Sequence, residues 1–286
     1  MFGVFVLDEQ YLVGICTTGS RPTLQTFLDK FQPVLASYPG QVRVVISVNG
    51  GGDFIAPSQP QVHVVYEPRK GIAFARNRIL QERHPDENLI FIDDDEYPDD
   101  MWFANLIECH KKFPNALIAG PVREVTETGE VVTHSKIRPV DQIADGAARK
   151  LAATNNLLFP VSVFETGLVY LDLFFNHGGS DTDLSMRLRN RGVEIRWAAN
   201  AVMYELEDAD RSDPEWSYRR DCRNAAIYPI AVKRNARLSF LLAYSLKKFL
   251  QLGVYSVLRF FGDTYQRRYK LHKISVKSLI LGRQAN

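Results

Sequence analysis

The sequence predicts an α/β protein built around a mostly parallel sheet, and three observations carry that prediction. Short apolar, β-branched runs bounded by turn residues recur along the first 122 residues, and stretches with helical spacing alternate with them. Polar segments follow four of the runs. Strand and helix in alternation describe βαβ units, because parallel strands need a crossover connection.

The elements follow in order. Tyr11–Cys16 is the first run, ending in Thr17-Thr18-Gly19-Ser20-Arg21 and a helical stretch over Thr23–Leu35. Val42–Val48 ends in Asn49-Gly50-Gly51-Gly52-Asp53. Val62–Tyr66 leads through Glu67-Pro68-Arg69-Lys70-Gly71 into a helix over Ile72–Arg83. Leu89–Ile92 delivers Asp93-Asp94-Asp95-Glu96 ahead of a helix over Asp100–Phe113, and Ala116–Val122 reads as a fifth strand. Beyond it the pattern is mixed, with short strands in Ala153–Asp172, a helix over Asp181–Asn190 and one or two strands in Ile195–Tyr204. Open α/β sheets bind ligands beyond the carboxyl ends of their strands, so the four polar segments are where chemistry is expected.

Composition excludes several classes. With 286 residues, 45% of them hydrophobic, the chain can bury a core without disulfides or a structural metal, and disorder and low-complexity readings fail. Cys16, Cys109 and Cys222 lie far apart without metal-ligand spacing, which points to a reducing compartment. Met1–Gln10 lacks the basic region of a signal peptide. The most apolar stretch, Leu238–Phe261, is interrupted by Lys247-Lys248 and Arg259 and is not expected to span a membrane.

The net charge of +2 hides a division. Residues 234–286 hold eleven Lys/Arg and one acid, Asp263; of the totals 35 and 33, residues 1–233 therefore keep 24 bases and 32 acids. A mildly acidic body is joined to a strongly basic tail.

Three constellations could carry chemistry. Asp86–Asp100 contains eight acids and no base in fifteen residues. Carboxylates packed at a strand end repel one another, and strand alternation would send Asp93 and Asp95 to one side, as hard ligands for Mg²⁺ or Mn²⁺. A solvated turn with Asp99 or Asp100 as helix cap is the competing reading. In Gly178–Leu188, Ser180 or Asp181 could cap a helix, or Asp181 could serve as a rigidly placed general base. Arg21, Arg69-Lys70 and Arg76 follow strands, and Lys70-Gly71 precedes a helix whose N-terminus favours an anion. Each could also be a solvated surface charge.

The residues from about 11 to 225 resemble the family-two inverting glycosyltransferases of GT-A fold. The resemblance rests on Val13–Thr18 with Arg21-Pro22, Val44–Asp53, Arg69–Asn77, Phe91–Glu96, Asn155-Asn156, Gly167, Gly179–Leu188 and Ala201–Glu205. Ile92–Pro98 with Trp102, and Glu205 followed by Arg211, Trp216, Arg219-Arg220 and Arg223, resemble the bacterial exopolysaccharide subgroup that includes succinoglycan-type glucosyltransferases.

The resemblance implies a UDP-hexose donor and a divalent metal. Thr17, Thr18 and Arg21 would hold uracil and ribose, Asn49 and Asp53 would face the base or ribose, and Lys70 to Arg76 would hold the nucleotide or diphosphate. Asp93-Asp94-Asp95 looks like the DxD motif, with Asp94 near the ribose or sugar and Asp95, with Asp93, on the metal. Asp181 looks like the catalytic base, although Ser180 replaces the family's usual Glu. Glu205 stands where many members carry a metal-ligating His. Arg211, Arg219, Arg220 and Arg223 could close over the diphosphate. A GT-A catalytic domain over residues 1–233 is expected, its nucleotide-sugar half about 1–122 and its acceptor half about 123–233.

The tail over 234–286 has its own pattern. Tyr244, Lys248, Gln251, Tyr255 and Arg259 recur at helical steps among apolar residues, which predicts an amphipathic helix. Its apolar side could pack on the catalytic domain. Alternatively the helix could lie on an anionic cytoplasmic leaflet, the peripheral inner-membrane location that a lipid-linked acceptor would make useful. No nucleic-acid module is present.

The sequence thus predicts transfer of a hexose from a nucleotide sugar to a lipid-linked or polysaccharide acceptor. A non-catalytic nucleotide-sugar scaffold at the membrane, and a nucleotidyltransferase on a similar sheet, are the alternatives.

Overall fold

The computed structural model describes residues 9–51, 53–55, 58–126, 129–132, 143–165, 167, 170, 179–206 and 213–281. The chain forms two compact units, Met1–Asn176 with Arg191–Glu207, and His177–Asn190 with Asp208–Asn286.

The first unit opens with β1 (Gln10–Thr17), α1 (Pro22–Ser37), β2 (Val42–Asn49), β3 (Val62–Glu67), α2 (Ile72–Glu82) and β4 (Glu87–Asp93). These match the predicted alternation to within a few residues. It continues through β5 (Glu96–Pro98), α3 (Trp102–Lys112), β6 (Leu117–Ala119), β7 (Val122–Val125), β8 (Leu157–Phe159) and the single turn α4 (Val161–Phe164). In the second unit α5 is Ser180–Asn190; the chain then returns to the first for β9 (Ile195–Trp197) and β10 (Met203–Leu206).

A seven-stranded sheet runs β3-β2-β1-β4-β8-β6-β9. Its first four strands are parallel, with Cys16 opposite Asp93 and Thr17 opposite Val48. Strand β8 is antiparallel to both neighbours. The chain builds outward from β1 through β2 and β3, then crosses back to place β4 on the other side of β1. That reversal of strand order leaves a crevice at the carboxyl ends of β1 and β4.

Apolar alternation fixes both faces of the sheet. Val13, Ile15, Val44, Ile46, Ile90 and Ile92 share a core with Phe27 and Phe31 of α1 and Trp102 and Leu106 of α3. Helix α2 covers the opposite face at close range, because β1 offers it Gly14: a Cβ there would stand 2.7 Å from Ile79 Cγ2.

The predicted strand Ala116–Val122 is two strands. Pro121 has no N–H for a ladder, and a side chain at Gly120 would collide with the Ala201 carbonyl and Asn156. The chain therefore leaves the large sheet at Ala119 and enters a second, three-stranded sheet, ordered β5-β10-β7, at Val122. Asn156, in the left-handed region at φ 58°, clamps this junction: it accepts from Trp102 Nε1 at 2.8 Å and donates to the carbonyls of Pro121 and Ala201 at 3.0 and 2.8 Å.

The second unit is helical: α5, α6 (Pro214–Asn235), α7 (Leu238–Leu258) extended by a 3-10 turn over Arg259–Phe261, and α8 (Asp263–Leu281). The sequence periodicity shows α7 but not α8, whose bases interrupt its apolar spacing. Fully buried Asp183 joins α5 to α6, accepting from Arg187 and Asn235 at 2.8 Å with Arg234 3.7 Å away. The charge division at residue 233 falls inside α6. Among the described residues no helix is long and apolar enough to cross a membrane.

Replacing Gly14 with Ala should push α2 from the sheet and destabilise the protein by about 1–3 kcal/mol, measured by urea unfolding.

Candidate active site

A cleft of about 640 Å³ opens at the carboxyl ends of β1, β2 and β4. It collects nine predicted site residues: Thr17, Thr18, Arg21, Asn49, Lys70, Arg76, Asp93, Asp94 and Asp95. They come from segments up to 78 residues apart in sequence, and the strand register brings them together.

The acidic side is built on the turn between β4 and β5. Strand β4 ends at Asp93, so strand alternation does not continue to Asp95 as the sequence reading assumed. The turn does the work instead: Asp93, Asp95 and Glu96 each offer a carboxylate oxygen, and these lie within 4.8 Å of one another. Asp94 points elsewhere, accepting from Thr17 Oγ1 at 2.6 Å and pairing with Arg21 Nε at 3.0 Å. Burial raises its carboxyl above the ordinary range, and the Thr17 hydrogen bond and Arg21 charge oppose that rise.

Glu96 belongs to the polar segment that the sequence singles out, but the sequence does not assign it as a metal ligand, and the structure places it beside Asp93 and Asp95. It is 1% exposed, and burial with the neighbouring Asp93 charge pushes its carboxyl well above the usual carboxylate range. Asn155 donates to it at 2.7 Å. Across the small sheet Glu96 faces Glu205, which adds further negative charge but is outside the close trio. The available signal was the EYP step after the three aspartates, too short to be recognised as a strand.

The basic side is less open than the sequence implied. Arg76, only 6% exposed, lies 3.7 Å from Asp93 and over the Tyr170 ring at 5.3 Å. Asn77 holds Tyr170 by two backbone hydrogen bonds of 2.8 Å. Arg69 turns to Glu67 at 2.8 Å and stacks on Phe74, whereas exposed Lys70 lines the cleft.

Asn49 and Asp53 also make contacts within the protein. The Asn49 amide serves the backbone, donating to the carbonyls of Glu67 and Arg69 at 3.2 and 2.6 Å and accepting from Gly71 N–H at 2.8 Å. It shapes the loop that presents Lys70, with Gly71 at φ 137° opening α2. Exposed Asp53 is not among the cleft-lining residues; its carbonyl accepts from Ser20 N–H at 3.4 Å. Cys16 lines the cleft, and burial pushes its thiol up to about 12.

Residues 15–167, more than half of the chain, match the family described as glycosyl transferase family 2. The chain belongs to glycosyl transferase family 2. The fold of the chain is similar to that of a known structure, the crystal structure of GalNAc-T7 with UDP, GalNAc and Mn2+, at 12% sequence identity and a TM-score of 0.55. The alignment covers 96% of this chain and 56% of that neighbour's chain. The likeness establishes the GT-A architecture, an α/β fold with a mostly parallel central sheet flanked by helices. No curated protein matches the sequence.

The remaining predicted site residues with described positions lie in the second unit. Asp181 is the second residue of α5, so the helix starts before it, and it accepts from Ser180 Oγ at 3.2 Å. On α6, Arg219 lies 3.9 Å from Asp213, Arg220 stacks on Trp216 at 4.9 Å, and Arg223 stands one turn beyond Arg219. Arg211 lies outside the described residues.

Glu67 anchors the loop that carries Lys70, and its hydrogen bonds from Arg69 hold its carboxyl below the ordinary range. Its contribution is full above the ordinary carboxylate range and is lost as pH falls through the lower folded value. Glu67→Gln should therefore cost about 1–2 kcal/mol at neutral pH, and the two proteins should converge in acid, as read by urea unfolding across pH.

Proposed function

We propose that this family 2 transferase is a metal-dependent, inverting enzyme that moves a hexose from a UDP-sugar to a lipid-linked or polysaccharide acceptor in cell-surface glycan synthesis of the succinoglycan-like exopolysaccharide kind. One observation carries the reading: a single cleft sets Arg21, Lys70 and Arg76 beside Asp93, Asp94 and Asp95. A nucleoside diphosphate is the ligand whose charged oxygens call for cations on one side and a carboxylate-held metal on the other. That the structural neighbour was crystallised with UDP and Mn2+ supports the donor class.

The residues present fit a divalent cation. Asp93, Asp95 and Glu96 form an all-oxygen donor set, compact within 4.8 Å, with Arg76 3.7 Å from Asp93 and Asn155 donating to Glu96. Hard oxygen donors of this kind suit Mg²⁺ or Mn²⁺. A cation bound there supplies Lewis acidity that stabilises charge growing on the departing diphosphate.

The chain's own groups have the following parts. Thr17, Thr18 and Arg21 hold the nucleoside end, with Arg21 set by Asp94. Lys70 and Arg76 bind diphosphate oxygens by charge-assisted hydrogen bonds. Asp181 accepts the proton of the acceptor hydroxyl as its oxygen attacks the sugar's C1; the new C1–O bond forms while the bond from C1 to the diphosphate oxygen breaks, which inverts the anomeric carbon. Arg219, Arg220 and Arg223, with Arg211, neutralise the leaving diphosphate. The enzyme works at the cytoplasmic face of the plasma membrane, where residues 234–286 meet anionic lipid.

A panel of UDP- and GDP-sugars should show nucleotide release with a UDP-hexose and Mn²⁺. Release from GDP-sugars alone would overturn the UDP assignment, and undiminished release under strong chelation would remove the metal. Asp95→Asn and Glu96→Gln should each abolish Mn²⁺-dependent thermal stabilisation.

Asp181→Asn should lower kcat by about 10²–10⁴ while donor affinity, read by calorimetry, stays unchanged. Full turnover in that variant would end its assignment as base.

A further inference from the structure

Helix α7 is amphipathic in the opposite sense from a helix that packs on its own protein. An ordinary surface helix turns its apolar stripe to the core and its polar stripe to water. Here the stripe Tyr244, Lys248, Gln251 and Tyr255 faces inward and is half-buried. Its neighbours lie within its own unit: Tyr244 sits 6.0 Å from the Tyr228 ring of α6, and Tyr255 stacks on His272 of α8 at 4.9 Å. Arg268 of α8 donates to the Tyr255 hydroxyl at 3.0 Å.

The outward stripe is apolar. Leu242, Leu246, Leu250 and Val257 are 61–63% exposed, Val254 55% and Phe249 47%, and no residue of α7 is buried. The same surface continues into Phe260 and Phe261, 77% and 74% exposed. Only Ser239 and Lys247 interrupt the exposed apolar arc of α7. An uncovered apolar face of this length marks a contact with another apolar medium.

Charge selects that medium. Residues 234–286 carry eleven bases and one acid. Joining two copies through this face would bring two strongly cationic segments together, whereas an anionic lipid surface answers both the apolar face and the surrounding charge. Lys247-Lys248 at mid-helix and the lack of a span-like window among the described residues exclude a crossing orientation for α7 and leave an in-plane one.

We infer that α7 lies in the plane of an anionic bilayer with Leu242, Leu246, Phe249, Leu250, Val254 and Val257 inserted, and that α8 holds its polar face. This rests on the membrane location proposed for residues 234–286 and specifies the element, the face and the lipid chemistry that produce it.

Vesicle flotation of the full chain tests the inference, using phosphatidylglycerol/phosphatidylcholine vesicles and phosphatidylcholine alone. The protein should float with the anionic vesicles, and Leu246→Asp/Leu250→Asp should reduce the bound fraction at least tenfold. Because both positions are solvent-exposed, that variant should keep the wild-type melting temperature and the wild-type rate of UDP release in solution. Phe249→Trp should show an emission blue shift and quenching by brominated lipid. Wild-type flotation by the double variant, or no lipid quenching at position 249, would overturn the inference. So would a lipid-free dimer that the double variant splits, with no vesicle binding by the wild type. Vesicle binding without UDP release would count against the transferase reading alone, and UDP release without vesicle binding against this one alone.

Discussion

The repulsion among four consecutive acids at the end of a buried strand is the constraint around which the first unit is organised. Asp93 to Glu96 repel one another, and the structure separates Asp94 from the other three. Asp94 is drawn to Thr17 and Arg21, which ties the end of β1 to the end of β4. Asp93, Asp95 and Glu96 remain close, with Arg76 beside Asp93 and Asn155 on Glu96. The carboxylate oxygens of these three residues are thereby gathered within 4.8 Å at the cleft, the arrangement on which the proposed cation site rests.

The rest of the cleft wall depends on backbone clamps rather than on groups aimed at a ligand. Asn49 fixes the β3–α2 loop through Glu67, Arg69 and Gly71, and Glu67 fixes Arg69. Asn156 plays the same part where the chain passes from the large sheet to the small one. Such residues look like ligand contacts in sequence because they lie at strand ends and are polar. Their amides hydrogen-bond to the backbone of the neighbouring loops, and such bonds hold the cleft wall in place.

Much of the first half was legible in the residues. β-Branched runs at regular spacing located β1 to β4, and the helical periods located α1 to α3, because burial on both sheet faces leaves a strong compositional trace. The break at Gly120-Pro121 was hidden, since its cause is a close approach by Ala201 and Asn156 from elsewhere in the chain. Glu96 was hidden for the same kind of reason: its burial comes from the pairing of β5 with β10, more than a hundred residues later. Charge recurring along α8 masked the apolar positions Val276 and Leu279 that bury it.

By itself the sequence determined the alternation of strand and helix, the polar segments at the strand ends, and the division between an acidic body and a basic tail. These are local or additive properties, readable from periodicity and counting. Only the tertiary structure decided which carboxylates share a site, which polar side chains serve the backbone, and which way α7 faces. The spacing of Tyr244, Lys248, Gln251 and Tyr255 shows two faces but not which one meets α8, because a helical period records the angle between stripes and not the direction of the protein interior.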